Sequence, residues 1–289
     1  MDYQGTIIRP PSEADSILLQ VTLGCSHGKC AFCGAYQDKP FAFKDMATIR
    51  ADIEFAARHR TRQRRVFLCD GDAMILPQDR LREILHLIRE RIPRITRVGA
   101  YANAKSLARK TDEQLRELRE LGLGMVYMGL ESGDDEVLRR MNKHGDAAFI
   151  TAQGRRARKA GFRLNVTAIN GLGGVEGSLR HARKTARVLS EMDPDQAALL
   201  TLMLIPGTPL HAWHEAGDFV LPDSRGILLE IREILANLHL SRGVLLANHA
   251  SNYLPLKVRL PSGRQAALDA LDAALATGTG LRPDSVRRL

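Results

Sequence analysis

Residues 16–36 read SILLQVTLGCSHGKCAFCGAY. The first nine are mostly apolar, rich in branched side chains and short, which is the pattern of a buried strand. That strand runs directly into Cys25, Cys30 and Cys33, three of the chain's four cysteines. Parallel α/β folds bind ligands at the C-terminal ends of their strands. The placement of the thiols therefore makes the architecture of the remaining chain the deciding question.

The same rhythm repeats downstream. Apolar runs at 65–71, 97–103, 125–131, 162–170 and 197–205 read as five further strands. Between them, helical periodicity predicts helices at 45–60, 77–92, 111–122, 134–141, 147–161 and 178–192. Asp45 and Thr111 are suited to capping, Pro77 to a first turn and Gly122 to a stop. The strands are continuous apolar runs rather than in-out alternations, the signature of a parallel sheet buried on both faces. Six units fall short of eight, so the expected fold is α/β, a partial (β/α)6 TIM-like barrel. An N-terminal arm (1–15) precedes the barrel (16–210). A small, mainly helical extension (211–289) follows, with helices at 222–240 and 263–278 and a loop at 242–261, folding back to cap the barrel.

Composition narrows the class. With 44% hydrophobic and 26% charged residues, the 289-residue chain reads as a soluble globular protein. No apolar run approaches the roughly 20 residues that span a bilayer. The N-terminus has no basic segment followed by an apolar one, so no secretory signal and a cytoplasmic location are expected. In a reducing compartment, cysteines this tightly clustered bind metal or do chemistry rather than form a disulfide framework. The net charge of +9, from 42 Lys+Arg against 33 Asp+Glu, admits a nucleic-acid partner. Solvated helix faces are the favoured reading, because the arginines are dispersed and aromatic residues are only 5%.

The spacing C-x4-C-x2-C allows two metals. A structural zinc needs four ligands, and His27 is available as the fourth. An iron–sulfur cluster accepts three thiolates at such spacings, with Phe32 as apolar cover. Cys69, inside a strand, reads as a small core hydrophobe. The other strand ends carry Asp70-Gly71-Asp72-Ala73, Gly129-Leu130-Glu131-Ser132-Gly133, Asn170-Gly171-Leu172-Gly173-Gly174 and Pro206-Gly207-Thr208-Pro209. Glycine lets backbone groups approach a ligand closely. Asp72 and Glu131 bring carboxylates able to bind an ammonium or ribose hydroxyls, or else act as a helix cap and a loop acid.

Taken together, the cysteine triad, the glycine turn at 71, GLESG at 129–133 and the glycine-rich end at 170–174 resemble the radical S-adenosylmethionine (SAM) superfamily. The look-alikes have cores of the Elongator and oxygen-independent coproporphyrinogen oxidase type. The resemblance covers residues 16 to about 210, and the triad is its most specific part. It implies that Cys25, Cys30 and Cys33 hold a [4Fe–4S] cluster whose open iron chelates SAM. It implies that Gly71, Asp72 and Ala73 meet the SAM amino group, and that Glu131 and Lys143 approach its ribose or carboxylate. Asn170, Gly171 and Pro206 would flank ribose and adenine. It further implies reductive cleavage to a 5′-deoxyadenosyl radical, a low-potential electron donor such as flavodoxin or ferredoxin, and a substrate the residues do not name.

Two departures stand out. One extra residue separates the first two cysteines relative to the commoner C-x3-C-x2-C, and Gly71-Asp72-Ala73 stands where Gly-Gly-Glu is usual. In the extension, Asn248, His249, Asn252 and Tyr253 are candidate substrate contacts, although Asn248 and Ser251 could equally satisfy turn backbone. The rival function is a zinc-stabilised, basic nucleic-acid-binding protein without catalysis, which would need neither the buried parallel sheet nor the glycine turns.

Overall fold

A computed structural model describes residues 1–37 and 39–288. The fold is mixed α/β around an eight-stranded, mostly parallel sheet. The chain divides into two compact units: Met1–Gly28, Ala35–Met128 and Arg156–Leu164 form one, and Lys29–Gly34, Gly129–Arg155 and Asn165–Leu289 the other.

In the first unit, β1 (Ile17–Gln20), β4 (Arg65–Cys69), β5 (Arg97–Ala102) and the start of β6 (Leu123–Glu131) are neighbours in that order. The pairs are parallel, with Leu19 opposite Leu68 and Phe67 opposite Gly99. A small antiparallel hairpin, β2 (Thr22–Leu23) with β3 (Ala42–Phe43), sits beside the first thiol. Helices α1 (Met46–His59) and α2 (Gln78–Arg91) bury apolar residues at helical spacing, Ile49, Ile53 and Ala56 on one, Leu81, Ile84, Leu85 and Ile88 on the other. Asp45 caps α1 by accepting the Thr48 N–H at 3.1 Å. Capping boxes start α3 (Ala104–Ala108) at Asn103 and α4 (Asp112–Glu120) at Thr111, each cap supplying about 1 kcal/mol.

The N-terminal arm belongs to this unit. Ile7 packs with Leu18 and Tyr101 against Phe67, Cys69, Met125 and Tyr127. Gln4 and Gln20 exchange hydrogen bonds at 2.9 and 3.0 Å. Fully buried Glu13 accepts bonds from Ser16, Arg97 and Tyr127. Cys69 is buried among these side chains, and burial pushes its thiol pKa far up, which fits the core role read from its place in the strand.

In the second unit, β7 (Arg163–Asn170, whose first two residues lie in the other unit), β8 (Gln196–Thr201), β9 (Gly243–Ala247) and β10 (Leu256–Leu260) are consecutive neighbours. Helices α5 (Asp135–Arg140), α6 (Ala147–Lys159, ending in the first unit), α7 (Gly174–Met192), α8 (Pro209–Glu215), α9 (Ser224–Asn237) and α10 (Arg264–Thr277) complete the order. α7 and α9 lie side by side, with Arg183 and Glu233 paired at 2.6 Å on the outside.

The extension differs from its sequence reading in one respect. The stretch expected as a loop at 242–261 holds two strands, β9 parallel to β8 and β10 antiparallel to β9. The reason is legible in hindsight. β8 presents an open edge to the apolar run GVLLA, and LKVRL alternates so that Val258 and Leu260 are buried while Lys257 and Arg259 face solvent. Charged outward residues of this kind suit an edge strand.

Candidate functional site

The site residues fall into both units, and each group is built from its own elements. In the first unit, β4 ends in Asp70, held at a left-handed φ of +69°. A non-glycine residue there is uncommon and needs support from its surroundings. The carboxylate of Asp70 provides it, accepting the Gly24 N–H at 2.9 Å and the Gln20 amide and the buried Lys39 ammonium at 3.1 Å each. The Gly71 N–H in turn donates to the Gly24 carbonyl at 3.0 Å. The turn after β4 is thereby laced to the residue before Cys25.

Gly71 is required by space. A Cβ on it would lie 2.7 Å from the Cys25 Cβ and 2.9 Å from the Tyr36 ring. Cys25 and the Gly71 turn are thus in direct contact.

Asp72 is used differently from the expectation that it meets a ligand ammonium. It is fully buried, and both oxygens are engaged. Oδ2 accepts Ser26 Oγ and Asn103 Nδ2, each at 2.6 Å, and Oδ1 accepts the Asn103 N–H at 3.2 Å. Burial raises its pKa to about 6 against the pull of Ser26, Ser106, Asn103 and Lys110. Burial likewise lowers Lys110 to about 8, opposed by Asp72. Asp72 thus ties the residue after Cys25 to the end of β5. Ala73, also fully buried, begins a short 3-10 turn. Ser26 and Asn103 escaped the sequence reading because each looks locally like an ordinary turn or cap residue.

In the second unit, Cys30 and Cys33 sit on a short turn closed by the Cys33 N–H donating to the Cys30 carbonyl at 3.1 Å. Ala31 anchors this turn on both sides, its N–H to Met141 O and its carbonyl to the Leu210 N–H, each at 2.9 Å. Ala31 is buried with Val137, Met141, Leu172, Leu202, Leu210 and Phe219, and Phe32 packs against the group. The Asn142 amide donates to Lys29 O at 3.0 Å, and a Cβ on Gly34 would meet Ile205 at 2.5 Å. The residues flanking the second and third thiols, Lys29 and Gly34, are therefore held against Asn142 and Ile205, the sequence neighbours of Lys143 and Pro206.

Glu131, at the end of β6, also holds a left-handed φ, +67°, and pairs with Lys143 at 2.9 Å, both mostly buried. Ser132 and His181 are hydrogen-bonded at 2.7 Å, and burial drives His181 down to about 4, so it is neutral. At the end of β7, Asn170 is fully buried, and among the described residues neither Oδ1 nor Nδ2 has a hydrogen-bond partner. Buried amides are almost always paired in folded proteins, so this strand end has room in its hydrogen bonding for a polar partner, ordered water or ligand. Gly171 (φ +93°) donates its N–H to the buried Glu230 at 2.6 Å. Sequence reading missed Glu230, and its signal was an acid on the apolar stripe of ILLEIREIL.

The loop at 248–253 divides in two. Asn252 is fully buried, accepting the Thr201 hydroxyl at 2.9 Å and donating to Leu199 O at 2.8 Å. Tyr253 donates to Asp284 at 2.8 Å beneath the Arg287 guanidinium, 3.9 Å from the ring centre. Both side chains, expected at a substrate, are spent on holding the end of β8 and the C-terminal segment. Asn248 is exposed, and His249 is half-buried with its Nδ1 2.9 Å from Ser251 Oγ.

Cys25 and Cys30 are partly exposed, Cys33 is exposed and Cys69 is buried. Within the first unit the glycine cradle lies against Cys25, and within the second Cys30 and Cys33 are accessible; thiolates are the donors that an iron–sulfur cluster takes. Among the described residues, no three His, Cys, Asp or Glu side chains converge as in a preformed metal centre, and no helix is long and apolar enough to cross a membrane.

Comparison with solved structures places the fold. Coproporphyrinogen III oxidase (HemN) from Escherichia coli, described as a radical SAM enzyme, shares 20% identity at a TM-score of 0.58, covering 76% of this chain and 51% of that one. Methylornithine synthase (PylB) matches at 16% identity and TM-score 0.55, over 78% of this chain and 63% of its own. Elp3 from Methanocaldococcus infernus matches at 12% and 0.53, over 92% and 64%. The chain thus spans about half to two thirds of the length of these structures. No curated protein sequence matches it. The sequence profile of the radical SAM superfamily matches residues 19–188, more than half of the chain. The chain belongs to the radical SAM superfamily.

Proposed function

We propose that this protein is a radical SAM enzyme in which Cys25, Cys30 and Cys33 ligate a [4Fe–4S] cluster. Bound and reduced, the cluster supplies the electron that cleaves SAM to methionine and a 5′-deoxyadenosyl radical, which takes hydrogen from a substrate. The observation that carries the reading is the contact between Cys25 and Gly71, which leaves no room for a Cβ. A backbone-only turn beside a ligating thiol suits close approach of the SAM methionyl group to its carbonyls and amides. Asp72 serves by holding Ser26, and hence Cys25, rather than by touching SAM. Glu131 and Lys143, as a pair, present a carboxylate and an ammonium to ribose hydroxyls and the SAM carboxylate, while Asn170, Gly171 and Pro206 border the nucleoside. Asn248 and His249 are the substrate-facing candidates of the extension, and a low-potential flavodoxin or ferredoxin supplies the electron.

Anaerobic reconstitution tests this. Wild-type protein should bind iron and sulfide, turn brown, and release 5′-deoxyadenosine from SAM with dithionite. Cys25→Ala, Cys30→Ala and Cys33→Ala should each abolish both, and Cys69→Ala neither. A colourless, zinc-containing protein, or a triad variant that keeps its iron, sinks the proposal.

A further inference from the structure

Glu230 lies on the buried stripe of α9, flanked by Ile227, Ile231 and Ile234, and its side chain is fully buried. A carboxyl group in such a place is costly unless something uses it. Its Oε2 accepts the Gly171 N–H at 2.6 Å. Gly171 is the left-handed residue that turns the chain after β7, and a Cβ there would press on Ile227, Leu221 and Leu202. The next residue back is Asn170, buried and unpaired at both side-chain atoms. One acid from the extension therefore sets the backbone beside Asn170, a strand-end amide with no hydrogen-bond partner among the described residues.

We propose that Glu230 is a positioning residue for SAM: by holding the Gly171 amide it fixes the turn that keeps Asn170 in place to meet the nucleoside. This rests on the radical SAM reading above. The hydrogen bond is strongest to the ionised carboxylate, and burial raises the Glu230 pKa to about 7, with Ser178 and the Gly171 amide pulling the other way. The titratable and charged groups on the helices packed against it either are neutral or pair with other residues. On α7, His181 bonds Ser132 and Arg183 pairs with Glu233, and towards α10, Arg232 pairs with Asp272. Glu230 is thus the group whose titration the turn would register.

The test is the dissociation constant for SAM of anaerobically reconstituted wild type, Glu230→Gln and Glu230→Ala, measured from a unit below to a unit above that value of about 7. Iron content is checked at each pH. The wild type should bind more weakly as pH falls through this range. Glu230→Gln keeps an oxygen that accepts the Gly171 N–H. As a neutral acceptor like the protonated acid, it should bind a few-fold more weakly than the wild type at the alkaline end and lose the step, leaving only the titration of the SAM amine common to all variants. Glu230→Ala should bind roughly tenfold more weakly throughout, as expected for a lost hydrogen bond to a charged group. An unchanged pH step in Glu230→Gln overturns the role of Glu230, as does wild-type affinity in Glu230→Ala. No SAM binding by the wild type at any pH overturns the radical SAM reading as well.

Discussion

Gly71 and Cys25 show how little space decides the site. Adding one methyl group at Gly71 places it 2.7 Å from the Cys25 Cβ, well inside contact distance. The turn is pinned from behind by the Gly71 N–H to Gly24 O bond, so the thiol side has to move. Gly71→Ala should cost about 1–3 kcal/mol of stability through overpacking. It should leave the protein folded but poor in iron after reconstitution. Full iron content in a folded Gly71→Ala protein would show that the cradle does not set the thiol. Sequence flagged Gly71 as a glycine that lets backbone approach a ligand, and the structure shows its close approach to Cys25. Sequence misjudged Asp72, because a carboxylate beside such a turn looks like a ligand contact until its partners, Ser26 and Asn103, are seen in space.

At the scale of elements, the loop at 248–253 works as a bolt on β8. Asn252→Ala unpairs the Thr201 hydroxyl and the Leu199 carbonyl, and should cost about 2–4 kcal/mol, read as a lower urea midpoint. His249→Ala removes one half-buried contact to Ser251 and should cost under about 1 kcal/mol. Its SAM affinity should be unchanged, while deoxyadenosine formed without product increases. Equal destabilisation by the two variants would erase the division between scaffold and substrate side chains. The six barrel strands and their helices were legible because each carries its own period and caps. The two strands of the extension were not, because GVLLA and LKVRL are short runs whose state depends on the edge of β8.

Across the whole molecule, part of the arginine complement is engaged in surface pairs such as Arg82–Glu117, Arg180–Glu136 and Arg232–Asp272. Surface pairs of this kind contribute little to stability. The buried acids matter more. Asp72 is raised from 3.8 to about 6 and Glu230 from 4.5 to about 7. An acid with a raised folded-state pKa keeps its proton where the unfolded chain has lost it, so stability falls as pH climbs through that interval. His181, lowered from 6.5 to about 4, acts in the opposite sense, removing stability as pH falls below 6.5. Lys110, lowered from 10.5 to about 8, opposes them until it is charged in both states; between about pH 7 and the His181 threshold the acids dominate, so urea unfolding should show stability rising as pH drops through that window. Each acid contributes at most about 3 kcal/mol over its full interval. Asp72→Asn and Glu230→Gln should each flatten the rise. Unchanged slopes in both would mean that neither acid is buried as described.

Sequence alone determined the alternation of strands and helices, the triad and the glycine ends, because apolar period, capping and φ preference are local properties written residue by residue. Tertiary structure alone decided what the polar side chains do. Whether Asp72, Asn252 or Tyr253 meets a ligand or the protein's own backbone depends on which distant groups pack beside it. For Glu230 the partner is an amide fifty-nine residues away, bonded at 2.6 Å. A buried hydrogen bond is set by proximity in space, and no local pattern encodes that distance.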